Sequence, residues 1–166
     1  AVALPGQPGR PGQPALMRAG LAVLLALATS ACAMSRVGEA QVTWQQGQPC
    51  FGVTAAEADA APDLRLGAVL VHDLGEQPSL KVWSLLADLQ APLLSLAAGN
   101  CLRYGQVPPG YSGPLPLPLQ AGHAYHVYLN AAPASGRRQR HGYDARFCLR
   151  PGGVQPLPPN AVACQP

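Results

Sequence analysis

Residues 124–130 read Ala-Tyr-His-Val-Tyr-Leu-Asn, and this stretch decides the fold class of the chain. Successive side chains of a β-strand point to opposite faces of the sheet, so a strand here has one apolar face and one more polar face. The apolar face holds Tyr125, Val127 and Leu129, and the other face holds His126, Tyr128 and Asn130. This alternation predicts a strand with one face buried in a core.

A second alternating stretch, Tyr143–Leu149, follows closely and predicts a neighbouring strand. Its inward side chains are Tyr143, Ala145, Phe147 and Leu149, and its outward ones are Asp144, Arg146 and Cys148. Five further short apolar runs are separated by Gly, Pro and polar turns: Ala40–Trp44, Pro49–Thr54, Leu66–His72, Leu80–Leu86 and Cys101–Tyr104. Ala55–Asp63 is a loop with room for one helical turn. Short strands at such spacing are typical of an all-β sandwich.

The turn before the first stretch sharpens this prediction. Leu119–Val127 resembles the L-x-P-G-x-x-Y-x-V stretch of fibronectin type III-like sandwiches, with Ala121 where proline is usual. The resemblance implies that Gly122 makes a corner and that the Tyr125 hydroxyl bonds to upstream backbone. An ordinary glycine turn is the alternative. We therefore expect an immunoglobulin- or fibronectin III-like β-sandwich of about seven short strands. Its expected core contains Phe51, Val69, Val82, Trp83, Val127, Leu129, Phe147 and Leu149.

The N-terminal region has the pattern of an export signal. Met17–Gly20 is a short cationic segment, Leu21–Ala28 is continuously apolar, and Thr29–Cys32 is made of small residues. Such a segment predicts a secretory signal peptide, and it is too short to span a bilayer. Small residues directly before Cys32 resemble a bacterial lipobox, which implies that Cys32 is lipidated. Cleavage by ordinary signal peptidase, giving a plain secreted protein, is the alternative.

These features divide the chain into five segments. Residues 1–16 are a Pro/Gly-rich upstream extension, expected to be disordered or non-native, and residues 17–31 are the signal peptide. Residues 32–39 are an anchor linker, 40–150 the sandwich domain, and 151–166 a Pro-rich tail. The expected location is the periplasmic side of the outer membrane, through a lipid on Cys32.

Four cysteines remain for the folded domain once Cys32 carries lipid. An even number in an exported chain predicts disulfides; zinc is the competing interpretation, but no C-x-x-C spacing supports it. Cys148 is expected to face outward, where it can reach a tail laid across the surface. We therefore expect Cys148 to pair with Cys164, which leaves Cys50 with Cys101.

Charge and motifs exclude several classes of function. Charged residues make up 11% of the chain, where about 25% is typical, and no basic cluster large enough for nucleic acid is present. His123 and His126 lie three apart on a predicted strand, which makes a poor chelate. His72-Asp73 lacks a G-x-S-x-G nucleophile elsewhere in the chain. We expect no metal, no cofactor and no enzymatic turnover.

The loop Ala131–Gly142 is the best binding candidate because a rigid sandwich would hold it. Its basic residues are Arg137, Arg138, Arg140 and His141, which would steer an acidic protein partner, although a merely solvated loop is the alternative. Trp44 and Tyr104 are further candidates for surface anchors, whereas Trp83 lies between apolar neighbours typical of a core.

Several short motifs occur in a fixed order. They are Val42–Phe51 behind the signal cysteine, Val82-Trp83, Gly99–Gly105, Ala121–Asn130 and Tyr143–Leu149. The ordered set resembles the type VI secretion immunity periplasmic lipoproteins of Gram-negative bacteria over roughly residues 17–150. The resemblance implies binding and neutralisation of a toxin delivered into the periplasm. An envelope-assembly lipoprotein and a small ligand- or metal-binding lipoprotein are the alternatives.

Overall fold

The computed structural model describes residues 37–136 and 142–165. Of these residues, 51% lie in strands and 5% in a helix, which confirms the predicted all-β class. The strands are β1 (Val37–Gln45), β2 (Gln48–Val53), β3 (Leu64–Asp73), β4 (Leu80–Ala87), β5 (Leu94–Ser95), β6 (Leu102–Arg103), β7 (Tyr111–Ser112), β8 (Ala124–Pro133), β9 (Gly142–Arg150) and β10 (Gly153–Leu157). Helix α1 spans Ala55–Ala60 in the loop where one helical turn was expected.

The strands form one curled sheet in the order β6-β2-β1-β9-β8-β3-β4-β7, with β10 added to β9 and β5 to β3. Strand β1 joins the two halves because it changes partner along its length. Val37–Glu39 pair in parallel with β9, and the following residues, Ala40–Gln45, pair antiparallel with β2. The sheet curls around a single buried cluster, which gives a β-sandwich-like architecture.

Aromatic rings fill the centre of the core. The ring centroid of Phe147 lies 5.5 Å from that of Tyr125 and 5.9 Å from that of Phe51, which in turn lies 6.3 Å from Trp83. All eight residues expected in the core are buried, and Leu149 is the most exposed of them at 8%. The inward faces read from the alternation of β8 and β9 are therefore confirmed.

The tyrosine corner at the start of β8 is confirmed. Gly122 has φ +86°, a conformation that glycine adopts readily and other residues rarely. The Gln120 backbone N–H donates to the Tyr125 hydroxyl oxygen at 2.7 Å, and the hydroxyl donates to the Gln120 carbonyl at 3.3 Å. Burial, opposed by the hydrogen bond from Gln120, raises the pKa of Tyr125 to about 12.

Two disulfides connect the cysteines as expected: Cys50 with Cys101, and Cys148 with Cys164. Cys148 points away from the core face of β9, as the alternation predicts, and the C-terminal tail reaches it there. Its side chain is completely buried because the disulfide and the tail cover it.

The tail also contains a strand that the sequence pattern did not predict. Strand β10 pairs antiparallel with β9, with Pro156 opposite Phe147. Proline is tolerated here because β10 is an edge strand and its outer side needs no backbone donor. Beyond β10, Arg146 donates from Nη1 to the Ala161 carbonyl at 2.6 Å, so the tail returns across β9.

A proline-rich segment, residues 113–118, covers the outer edge of β4, and we call it the proline strap. The Leu117 N–H donates to the Val82 carbonyl at 2.9 Å. The Tyr104 hydroxyl lies 2.7 Å from the Leu117 carbonyl oxygen and 3.2 Å from that of Val82. The surface-anchor hypothesis for Tyr104 is therefore wrong, since this side chain is 9% exposed. Trp44 is half-buried against the core.

Candidate functional site

Asp73 is a buried acidic residue, 3% exposed, at the end of β3. Its Oδ2 lies 2.8 Å from His123 Nδ1, and its Oδ1 accepts the Gly75 N–H at 2.8 Å. The His72-Asp73 pair considered from the sequence does not form this contact, because adjacent residues of a strand point to opposite faces. The arrangement ties the loop after β3 to the corner before β8, which is a structural role.

A row of nitrogen-bearing side chains crosses the outer face of the sheet. Lys81 on β4 is opposite His72 on β3, which is opposite His126 on β8, and Arg146 on β9 follows. His126 Nε2 lies 2.9 Å from Asp144 Oδ2, so His123 and His126 contact different carboxylates. Among the described residues, no three His, Cys, Asp or Glu side chains are grouped so that they could hold a metal ion.

The charge environment of this row disfavours protonation of His72. Burial, then the neighbouring His126 and Lys81, lower the pKa of His72 below 6.5. The unfolded chain therefore binds a proton at His72 more readily than the folded domain does. The contribution of His72 to stability is fully present above about pH 6.5 and is lost as the pH falls towards the lower, folded-state pKa.

We expect His72→Gln to weaken the acid sensitivity of the domain. The free energy of unfolding, measured by urea denaturation, should fall less between pH 7.5 and pH 5.5 in the variant than in the wild type. Glutamine keeps similar bulk but does not titrate, so the difference isolates the imidazole. An identical fall in both proteins would contradict the assignment.

The β8–β9 connection, which carries the predicted partner-binding residues, has a well-anchored base. The Ala134 N–H donates to the Asp63 carbonyl at 3.1 Å, and the Ser135 N–H donates to Asp63 Oδ2 at 2.8 Å. Arg137, Arg138, Arg140 and His141 themselves lie outside the described residues. These two bonds hold the loop where it leaves the end of β8.

Charge is distributed unevenly between this loop and the rest of the domain. The described residues contain all eight acidic side chains of the chain but only five Lys and Arg. The three arginines at positions 137, 138 and 140 are consecutive but for Gln139. The described part of the domain thus has an excess of negative charge, whereas the sequence between β8 and β9 is cationic.

An open groove lies on the outer face of the sheet near the start of this loop, with a volume of about 310 Å³. Arg65 and Gly67 line it from β3, Asn130 and Ala132 from β8, with Leu93, Pro133 and Ala134 at its sides. Sequence reasoning missed Arg65 because an isolated arginine on a strand gives no signal. Arg65 and Ala132 lie just outside the strands predicted from the sequence, and the longer observed strands β3 and β8 place them opposite each other.

Cys32, the predicted lipidation site, also lies outside the described residues. The described part of the chain contains no helix long and apolar enough to cross a membrane. No protein-family model matches the chain, and neither the curated proteins nor the solved structures give a significant match.

Proposed function

We propose that this chain is a periplasm-facing lipoprotein, anchored through Cys32, whose sandwich domain binds and neutralises a cognate protein toxin. The observation that carries the proposal is the arginine-bearing β8–β9 loop, whose base is held by two hydrogen bonds to Asp63. A concentrated positive charge on a fixed base favours encounter with an acidic protein surface. The resemblance to immunity lipoproteins supplies the toxin as partner.

Rigidity supports tight, stoichiometric binding. One disulfide ties β2 to the loop before β6, and the other ties the tail to β9. Because these elements are ordered before a partner arrives, less conformational entropy is lost on association. Inhibition by occlusion depends on slow dissociation, which a preorganised surface favours.

A survival assay tests the proposal. The candidate toxin is the product of the gene adjacent to the one that encodes this chain. Cells that export this toxin to the periplasm should survive when this chain is exported with it. A matched version without residues 17–31, retained in the cytoplasm, should give no protection. Protection by amounts well below the toxin's own would indicate an enzyme that destroys the toxin or its product, and absence of any protection would contradict the toxin-binding role.

Charge reversal tests the contribution of the loop. Replacing Arg137, Arg138 and Arg140 with Glu should slow association with the partner by at least about tenfold at low ionic strength, and less at high ionic strength. Stability should change little because none of the three arginines belongs to the core predicted from the sequence. Surface plasmon resonance at two salt concentrations measures the rates, with Arg103→Glu on β6 as control. Equal association rates for the wild type and the triple variant would show that the loop does not contact the partner.

A further inference from the structure

The groove on the outer face owes its shape to a bulge in β3. The register between β3 and β8 shifts between Leu66 and Ala68, which leaves Gly67 without a regular partner. A Cβ built at Gly67 would lie 3.5 Å from the Asn130 carbonyl oxygen, within ordinary contact distance. Because Gly67 has no side chain and Ala132 has only a methyl group, the outer face of the sheet has a depression at this position.

Arg65 lies beside this depression, and none of the described residues forms an ion pair or a hydrogen bond with its guanidinium. Arg65 lies opposite Ala132 on β8 and Ser95 on β5, and Asn130 on β8 lines the same groove. Arginine presents several N–H donors in a planar fork that matches a carboxylate.

The walls of the groove are largely apolar. Leu93, Ala132, Pro133 and Ala134 contribute carbon surface, and Asn130 is the remaining polar side chain. A volume of about 310 Å³ is at the lower end of the range for ligand pockets. The groove therefore accommodates one large side chain rather than a long ligand.

We propose that this groove receives a large apolar side chain of a partner protein while Arg65 binds a carboxylate next to it in the partner's sequence. Charge complementarity selects this occupant: an apolar cleft with one unpaired guanidinium matches an aromatic residue adjacent to Glu or Asp. This inference rests on the proposed function, since it names a second contact beside the arginine-bearing loop. Ala134 lines the groove and lies three residues before Arg137 in the sequence.

A short peptide probe tests the groove without the toxin. Acetyl-Trp-Glu-amide should shift the backbone NMR signals of residues that line the groove, and acetyl-Trp-Lys-amide should bind about tenfold more weakly. Arg65→Ala should weaken binding of the glutamate peptide by about tenfold, and Arg65→Lys by less, because one charge remains without the bidentate geometry. The matched control Arg103→Ala should bind like the wild type.

A second variant tests the cavity itself. Ala134 is exposed, so Ala134→Trp should fill the groove without disturbing the core and should abolish peptide binding, while the circular dichroism spectrum stays unchanged. Equal binding of both peptides, or unchanged binding by Arg65→Ala and Ala134→Trp, would overturn the assignment.

The failure of this inference is distinguishable from that of the proposed function. If the protein binds the peptide but gives no protection in the survival assay, the toxin-binding function is contradicted and the proposed ligand of the groove is supported. If the protein gives protection but does not bind the peptide, the toxin-binding function is supported and the proposed ligand of the groove is contradicted.

Discussion

Replacing Phe147 with alanine is expected to remove roughly 3–5 kcal/mol from the free energy of unfolding. Phe147 is 0% exposed, and its ring packs against Tyr125 and Phe51 with centroids 5.5 and 5.9 Å away. The substitution removes buried apolar surface and leaves a cavity between β9, which carries Phe147, and β2, which carries Phe51. These strands lie on opposite sides of β1 in the sheet order. Since small domains are stabilised by about 5–15 kcal/mol in total, the variant should lose a large share of its stability.

Denaturant titration followed by tryptophan fluorescence measures this effect. Leu115→Ala is a suitable control, because Leu115 is 90% exposed on the proline strap and its truncation should change stability by less than about 0.5 kcal/mol. Similar stabilities of the two variants would show that the aromatic cluster is not the centre of the core.

Removal of the Cys50–Cys101 disulfide is the second change with a large expected effect. Its cysteines are 51 residues apart, so loop-closure entropy alone predicts a loss of about 4 kcal/mol in the double alanine variant. The Cys148–Cys164 disulfide closes 16 residues, for which the same relation predicts about 3 kcal/mol. Both cysteines of a pair are replaced together so that no free thiol remains.

Thiol counting and denaturant titration check this prediction. Exported protein in which Cys32 is replaced by alanine should show no free thiol when denatured. Removal of the Cys50–Cys101 disulfide should lower the free energy of unfolding more than removal of the Cys148–Cys164 disulfide, because the former disulfide closes the longer loop. Two free thiols would contradict one of the pairings, and a larger loss from the tail disulfide would show that packing of the tail against β9 outweighs loop closure.

Strand faces were predictable because they depend on a local rule. Side chains of a strand alternate between two faces, so Tyr125, Leu129 and Phe147 were assigned to the core from their positions alone. The corner at Gly122 was equally accessible, since it joins residues only five apart, Gln120 and Tyr125. Even the disulfide pairing followed from the outward position of Cys148 and the nearby tail.

Contacts between distant segments were not predictable in this way. Pro156 lies in a strand because β9 offers a free edge, and the Pro-rich composition of the tail concealed this. The sequence makes Tyr104 a candidate for a surface anchor, yet its hydroxyl lies within hydrogen-bonding distance of two carbonyls, on β4 and on the proline strap. Each contact depends on which segments become neighbours after the sheet curls.

The sequence by itself determined the all-β class, the buried faces of β8 and β9 and the presence of two disulfides, because strand periodicity and cysteine number are properties of the chain. Only the tertiary structure decided that Asp73 contacts His123, and that Arg65, which has no partner among the described residues, lies beside a groove. The register between β3 and β8 sets both outcomes. Register arises from the packing of whole strands against one another, and no single stretch of sequence contains it.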